Sequence, residues 1–445
     1  MRKSLAVAVC LVIAGSFLSS ASAATPKVGS VCTKVGAFYD TPNARYVCNQ
    51  AGSKKVWGLW SPDAAKKPAA TSSGKKVNFK ARIPITLPVA QSTNPADITF
   101  ANILDRIPDI SKTAWQKVQD VIAANPASAP ITNVVSVGPN TKIDVVGGQP
   151  RIQDILLRNQ RLFSGFTQNK TFSILMYNAQ DEPWAEKEWE KLAKAKKYFA
   201  SDIKAEKIRI AGNCQASSAP GVFSGPPVDC RGANMTAPNN SDDANFSFGQ
   251  GGTGAANDPY VTTGGIVGHE YTHAVQAAQW IGHPNSYCTE KTQTPSCFRS
   301  WSSNYGFSPC WIFEGLPNSV GPMVASETYP QYQEFRKNLP YRGPTTITDY
   351  TEASLKKYLF NQSNKTCYQD GNLYDLGYSV GALVTEALVA IAGPQATMAL
   401  YSLGAQGQDF ATAFKNVYGI SWSDASTILS KVLAAQYATY GPPPK

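Results

Sequence analysis

Gly264-Gly265-Ile266-Val267-Gly268-His269-Glu270-Tyr271-Thr272-His273-Ala274-Val275-Gln276-Ala277-Ala278-Gln279-Trp280 is the stretch of the chain whose reading decides the rest. The apolar flanks (Ile266, Val267, Ala274, Val275, Ala277) predict a buried helix. On a helix, residues four apart lie one turn above each other. His269 and His273 therefore face the same side and can share a metal ion, in the H-E-x-x-H arrangement. Glu270, one position on from His269, can reach a water on that metal and take its proton. The whole chain has 3 histidines, so two of them at this spacing, with a glutamate between, is an informative coincidence.

A catalytic zinc takes three protein ligands and keeps one position open. The remaining histidine, His283, is one candidate for the third. The H-E-x-x-H-x-x-G-x-x-H class is excluded, because its glycine and third histidine would fall on Gln276 and Gln279. A cysteine zinc site has no support, since no C-x-x-C spacing occurs. Further on stands Cys310-Trp311-Ile312-Phe313-Glu314-Gly315-Leu316-Pro317-Asn318. Here the chain resembles the gluzincin metallopeptidases, which follow H-E-x-x-H with a W-x-x-E-G-x-A helix. Trp311, Glu314 and Gly315 match that pattern, and Pro317 stands where the family usually has alanine. The gap from His273 to Glu314 is longer than the family commonly shows, as an insertion carrying Cys288 and Cys297 would make it.

The resemblance implies zinc held by His269, His273 and Glu314, with Glu290 and Glu327 as fallbacks for the third ligand. It continues at Tyr378-Ser379-Val380-Gly381 (the family's Y-x-x-G), in an apolar helix over 383–391, and in Ala413-Phe414-Lys415-Asn416-Val417-Tyr418-Gly419-Ile420-Ser421. By that match Tyr378 would donate a hydrogen bond to a tetrahedral oxyanion. A core tyrosine is the other reading, and Tyr374 is the substitute one turn earlier. Asn318, one turn past Glu314, is placed to orient a ligand histidine. The G-x-M-E-N motif of exopeptidases is absent, so the resemblance implies an endopeptidase acting on a protein or peptide substrate. Two rivals stand beside it: a non-catalytic, envelope-bound binding protein on a metallopeptidase fold, and a peptidoglycan amide hydrolase. Intact Glu270 argues against the first.

Toward the N-terminus, Met1-Arg2-Lys3, an apolar run over 5–18 and Ser19-Ser20-Ala21-Ser22-Ala23 read as a secretory signal peptide, residues 1–23. Later apolar runs are broken; the best, 380–400, contains Glu386 and Pro394, so no transmembrane segment is expected. Cleavage removes Cys10 and leaves eight cysteines, an even number that reads as disulfides in an exported chain. Sequence neighbours suggest Cys32–Cys48 and Cys214–Cys230, with Cys288–Cys297 and Cys310–Cys367 as a guess. The expected location is secreted or associated with the cell envelope.

The formal charge of +10 is confined to one end. Residues 1–82 carry 13 Lys/Arg against 2 Asp/Glu, whereas the rest has 28 against 29. The main domain is therefore not marked as a nucleic-acid binder. The basic leader can hold an exported protein near anionic cell-envelope polymers; a solvated linker is the alternative. Residues 24–60 suit a small disulfide-stapled β module. Residues 61–83, rich in Ala, Lys, Pro and Ser, form a linker.

Residues 84–440 read as one large domain. Helical spacing covers 105–125 and 149–163, a strand fits 171–177, and a charged helix fits 182–200. Residues 212–258, full of Gly, Asn, Ser and Pro, read as a long irregular stretch, and the pattern from 266 onward is mostly helical. Strands first and helices later give an α+β expectation: a zincin-like two-lobe metallopeptidase domain with a strand-containing N-lobe and a helical C-lobe.

Overall fold

The computed structural model describes residues 27, 30–35, 38–41, 44–51, 54–59, 83–125, 131–215, 230, 232–236, 242–252, 255–281, 307–341, 349–360 and 376–440. The signal peptide, almost all of the linker, His283, Glu290, Tyr374 and the cysteines at 288, 297 and 367 lie outside these residues, and with them the two guessed disulfides. The chain divides into two compact units, Met1–Lys76 and Val77–Lys445.

The first unit is built on three antiparallel strands in the order β1-β2-β3: β1 (Phe38–Thr41), β2 (Ala44–Ala51) and β3 (Lys54–Leu59). A short run before β1 lies along β3, with Cys32 N–H donating to Lys55 O (2.9 Å) and Trp57 N–H donating to Ser30 O (2.8 Å). Cys32 and Cys48 are bonded and buried, so the expected staple is present. So small a unit has little apolar core of its own, and a covalent tie offsets that deficit.

The second unit is a mixed α/β structure. Helix α1 (Ile110–Ala124) is followed by β4 (Thr132–Val137), α2 (Gly148–Leu162), β5 (Thr171–Tyr177), α3 (Glu182–Ala195), α4 (Ala200–Gln215), β6 (Ala233–Thr236) and β7 (Asp243–Gly249). The four strands pair in the order β4-β5-β7-β6. β4, β5 and β7 are parallel, and β6 lies antiparallel on the edge. Strands and helices alternate through 132–249, and every described element after that is helical, so the strands do come first, although interleaved with helices. Parallel neighbours need a crossover, and the helices between them supply it.

The stretch 212–258 is also more regular than expected. It contains the end of α4, the edge strand β6 and the inner strand β7. Helices on both faces of the sheet bury β7 on both sides. Ala244, Phe246 and Phe248 join the main core, while Asn245 and Ser247 point to the other face and are buried there. The expected helix over 182–200 is broken. Lys197 adopts a left-handed φ of 57°, Tyr198 N–H closes the turn onto Ala193 O (2.9 Å), and a new helix starts at Ala200. Such a left-handed cap satisfies the last carbonyls, and Tyr198 then packs on Trp189 (centroids 5.8 Å). Cys214 is bonded to Cys230, as expected, which ties the end of α4 to the segment before β6.

The remainder is helical: α5 (Pro259–Thr262), α6 (Gly265–Ala278), α7 (Cys310–Ala325), α8 (Tyr329–Asn338), α9 (Glu352–Phe360), a π-helical turn at Gly377–Gly381, α10 (Ala382–Ala392), α11 (Pro394–Ala405), α12 (Phe410–Tyr418) and α13 (Trp422–Tyr440). The run 380–400 is not one span: Pro394 starts a new helix, and the two helical parts are bent by 106°. Glu386 is fully buried there, held by Arg336 (2.8 Å) and by Tyr332 Oη (2.7 Å). Among the described residues no single helix is long and apolar enough to cross a membrane. The Tyr418-Gly419-Ile420-Ser421 ending has a local cause. Gly419 (φ 74°) caps α12, and Ser421 Oγ accepts from Asp424 N–H (3.1 Å) at the start of α13.

Candidate metal centre

The site grows from α6. Its entry is Gly264, with φ +83°, where a Cβ would run into Ile155. All fourteen residues of α6 are buried, as its small and apolar composition predicts. The helix crosses α7 backbone to backbone: a Cβ on Gly268 would sit 2.6 Å from Gly321 O. One turn and a half earlier on α7, Gly315 meets Gly381 of the π-helical turn in the same way, and Gly381 abuts Trp311 O. Two glycine pairs thus let three helical segments approach closer than any side chain would allow. Trp311 is fully buried and stacks on Trp422 (5.2 Å), which fixes the outer face of α7.

That crossing brings His269, His273 and Glu314 together, all nearly fully buried. Glu314 Oε2 lies 3.4 Å from His269 Nε2 and 3.2 Å from His273 Nε2. One ligand atom from each residue falls within 4.8 Å of the others, so the three can hold a metal ion. Burial opposes the charge on Glu314, but the two imidazoles outweigh it and hold the carboxyl below the usual range. Burial likewise opposes a charged His273, and Glu314 outweighs it, so His273 titrates above an ordinary histidine. Glu270 is also buried, and burial pushes its pKa up to about 7. The His273 charge pulls it down, the Glu314 and Glu206 charges push it up, and the Met235 N–H of edge strand β6 hydrogen-bonds the carboxylate. A carboxylate poised near neutrality beside a metal-ligand set is suited to accept a proton.

Behind His273 stands a residue that the sequence reading did not single out as functional. Gln276, fully buried one turn on, accepts from His273 Nδ1–H at its Oε1 (2.8 Å). Its Nε2 donates to Phe313 O (3.3 Å) and Tyr401 Oη (2.8 Å). Phe313 O can only accept, so it fixes which end of the amide faces it. Gln276 Oε1 must then face the ring, which keeps the proton on Nδ1 and turns the Nε2 lone pair toward Glu314. Pro317 bears on this contact with Phe313 O. Proline has no N–H, so the helical bond from residue 317 to residue 313 is missing. Pro317 thereby leaves room for the Gln276 anchor on α7.

The structure places the other candidates as follows. Tyr378 is half-buried with its ring parallel to that of His269 (centroids 6.0 Å, interplanar angle 2°). It sits in the π-helical turn, a form that recurs at functional sites. Asn318 is fully buried, and its Nδ2 donates to Tyr378 O (2.5 Å), which ties α7 to that turn; its expected role toward a ligand histidine falls to Gln276. Glu327 lies away from the ligand set, exposed and paired with Arg151 (2.6 Å). Tyr260 packs edge-on against His269 (5.9 Å) and was not foreseen. Only Gln276, at three residues from His273, left a signal in the sequence; Tyr260, Met235 and Tyr401 reach the site through the fold.

Comparison with protein-family models, with curated proteins and with solved structures gave no match for this chain.

Proposed function

We propose that the chain is an exported zinc-dependent peptidase of the gluzincin kind, working as an endopeptidase. The observation that carries this reading is the spacing of the donors. Tetrahedral zinc with bonds of about 2.0–2.1 Å requires ligand atoms about 3.3 Å apart. Glu314 Oε2 stands 3.2 and 3.4 Å from the two histidine nitrogens. Two imidazoles and one carboxylate also leave a coordination position for substrate or water, the pattern of catalytic rather than structural zinc. When bound, zinc would polarise a scissile carbonyl and acidify water.

The chain's own groups supply the rest. Glu270 takes the proton from the attacking water and passes it to the leaving amine. Met235 N–H holds the Glu270 carboxylate. Tyr378, beside His269, is the candidate donor to the developing oxyanion. The strand-bearing part (132–249) and the helical part (from 265) are read as the two lobes of a zincin-like domain. Two disulfides suit an oxidising compartment, and the basic N-terminal part suits contact with anionic envelope polymers.

The test is hydrolysis of an unstructured protein by the purified chain, with and without chelator, alongside Glu270→Gln. Chelation and the substitution should each abolish cleavage, with metal retained in Glu270→Gln. Cleavage that survives both refutes the assignment. A zinc-loaded wild type that cleaves neither protein nor peptidoglycan leaves the non-catalytic binding protein.

A further inference from the structure

The sheet has a second face with a different composition. Toward the main core it presents Val135, Phe172, Ile174 and Phe246. Toward α3 and α4 the same strands present Ser136, Ser173, Asn245 and Ser247. Small side chains on this floor, under Trp189 and Leu192 of α3, leave a cavity of about 290 Å³. That volume lies just below the ~300–1,000 Å³ of drug-sized sites, so the occupant is small. It is separate from the metal centre: none of its lining residues is a metal-ligand candidate.

The polar groups in the cavity divide into occupied and open. Glu206, at 2% exposure, is fully engaged: Ser247 Oγ (2.6 Å), Thr236 Oγ1 (2.6 Å) and Arg209 (3.0 Å) all donate to it. Lys196 at the rim is paired with Asp243, and Lys191 with Glu188 (3.6 Å). Ser173 is different. It is 6% exposed, lines the cavity, and makes no side-chain hydrogen bond among the described residues. At the open side, Val134 of the β4 edge is 41% exposed.

We infer that this cavity is a second binding site, for an uncharged, mainly apolar molecule that carries a hydroxyl or carbonyl group. The apolar body would lie against Trp189, Leu192 and Ile210, and the polar group would meet the Ser173 hydroxyl, which can both donate and accept. The ligand is neutral because each charge lining the cavity already has its partner. A buried ion would find no countercharge there, and its desolvation would go uncompensated.

The probes are 1-octanol and octanoate, which share a chain and differ in charge. Titration calorimetry on the full chain should give 1-octanol a Kd of ~0.1–1 mM, as expected for a ligand this small. Octanoate should bind at least tenfold more weakly. Ser173→Leu fills the floor and should weaken 1-octanol at least tenfold, with the melting temperature kept. If that variant does not fold, Ser136→Leu on the half-exposed edge strand decides by the same reading. Absence of 1-octanol binding, octanoate binding as tight as 1-octanol, or affinity unchanged in the folded variant overturns the proposal.

Discussion

Replacing Gln276 by leucine tests whether the metal centre depends on its support. The change keeps the side-chain bulk on α6 but removes one acceptor and two donors. His273 Nδ1–H and Phe313 O both lose their hydrogen bond to Gln276 in a buried place. Each buried bond lost costs up to about 1–3 kcal/mol, so stability should fall by up to roughly 2–6 kcal/mol. Zinc affinity should fall ~10–100-fold, because the ring is no longer held in the orientation and tautomer a ligand needs. Gln276→Glu separates the two effects. It keeps an acceptor for His273, so affinity should largely survive, but it sets a carboxylate against Phe313 O and lowers stability. Pro317→Ala, added to Gln276→Leu, gives Phe313 O its helical donor back. It should restore part of the stability and none of the affinity, a coupling that a double-mutant cycle reads directly. The assays are competition with a chromophoric chelator and a thermal melt followed by circular dichroism. Zinc affinity within twofold of wild type in a folded Gln276→Leu protein would refute the reasoning.

Metal binding should weaken as pH falls. His273 must shed a proton to bind, and its pKa in the metal-free protein lies above the ordinary value. Below that pKa the affinity should drop by up to about tenfold per pH unit for the one proton displaced; a flat profile between pH 5 and 8 contradicts this. Glu314→Gln should cost most of the metal affinity while leaving the fold, and wild-type affinity there would move the third ligand outside the described residues. Tyr378→Phe should lower kcat by ~10²–10³ with little change in KM if the phenol meets the oxyanion; near-normal kcat with a lowered melting temperature makes it a packing residue. Gly321→Ala places a methyl against the backbone at His269, and should abolish stoichiometric metal binding or folding altogether. A variant that melts and loads like wild type would show that the helix crossing can relax.

The candidate ligand set is legible in the sequence because it is local. His269, Glu270 and His273 are tied by one helical turn, and Glu314 by a short motif on one helix. Gln276 is equally local, three residues from His273, but a glutamine at that spacing belongs to no metal-ligand motif, so its support of the ring shows only in the fold. The inner strand β7 is hard to read from the sequence for a different reason. Ala244-Asn245-Phe246-Ser247-Phe248 does alternate as a strand would, but the run is short and sits within the Gly-, Asn-, Ser- and Pro-rich composition of 212–258, and nothing in it says that its polar face, Asn245 and Ser247, is buried too. The break at Lys197 depends on a left-handed residue that is not glycine, which composition does not announce. Tyr401 reaches Gln276 across 125 positions of sequence, and no periodicity carries that.

The glycine contacts between α6, α7 and the π-helical turn would set how the proposed metal site chooses among ions. Where backbone meets backbone there are no rotamers to readjust, so the distance between the helix that offers two nitrogens and the helix that offers the oxygen is not free to breathe. A pliable site selects an ion by reshaping around it; this one can select only by refusing. Calcium asks for six to eight oxygen donors at about 2.3–2.6 Å, and magnesium for a near-regular octahedron of oxygens. Neither demand is met by two imidazoles and a carboxylate locked at this spacing. Copper would bind the same donors more strongly than zinc by intrinsic preference, but it favours a tetragonal arrangement. On the proposed zinc reading, such a frame would penalise the strongest competitor through shape, and discrimination would trace back to Gly268, Gly315, Gly321 and Gly381, none of which carries a donor side chain.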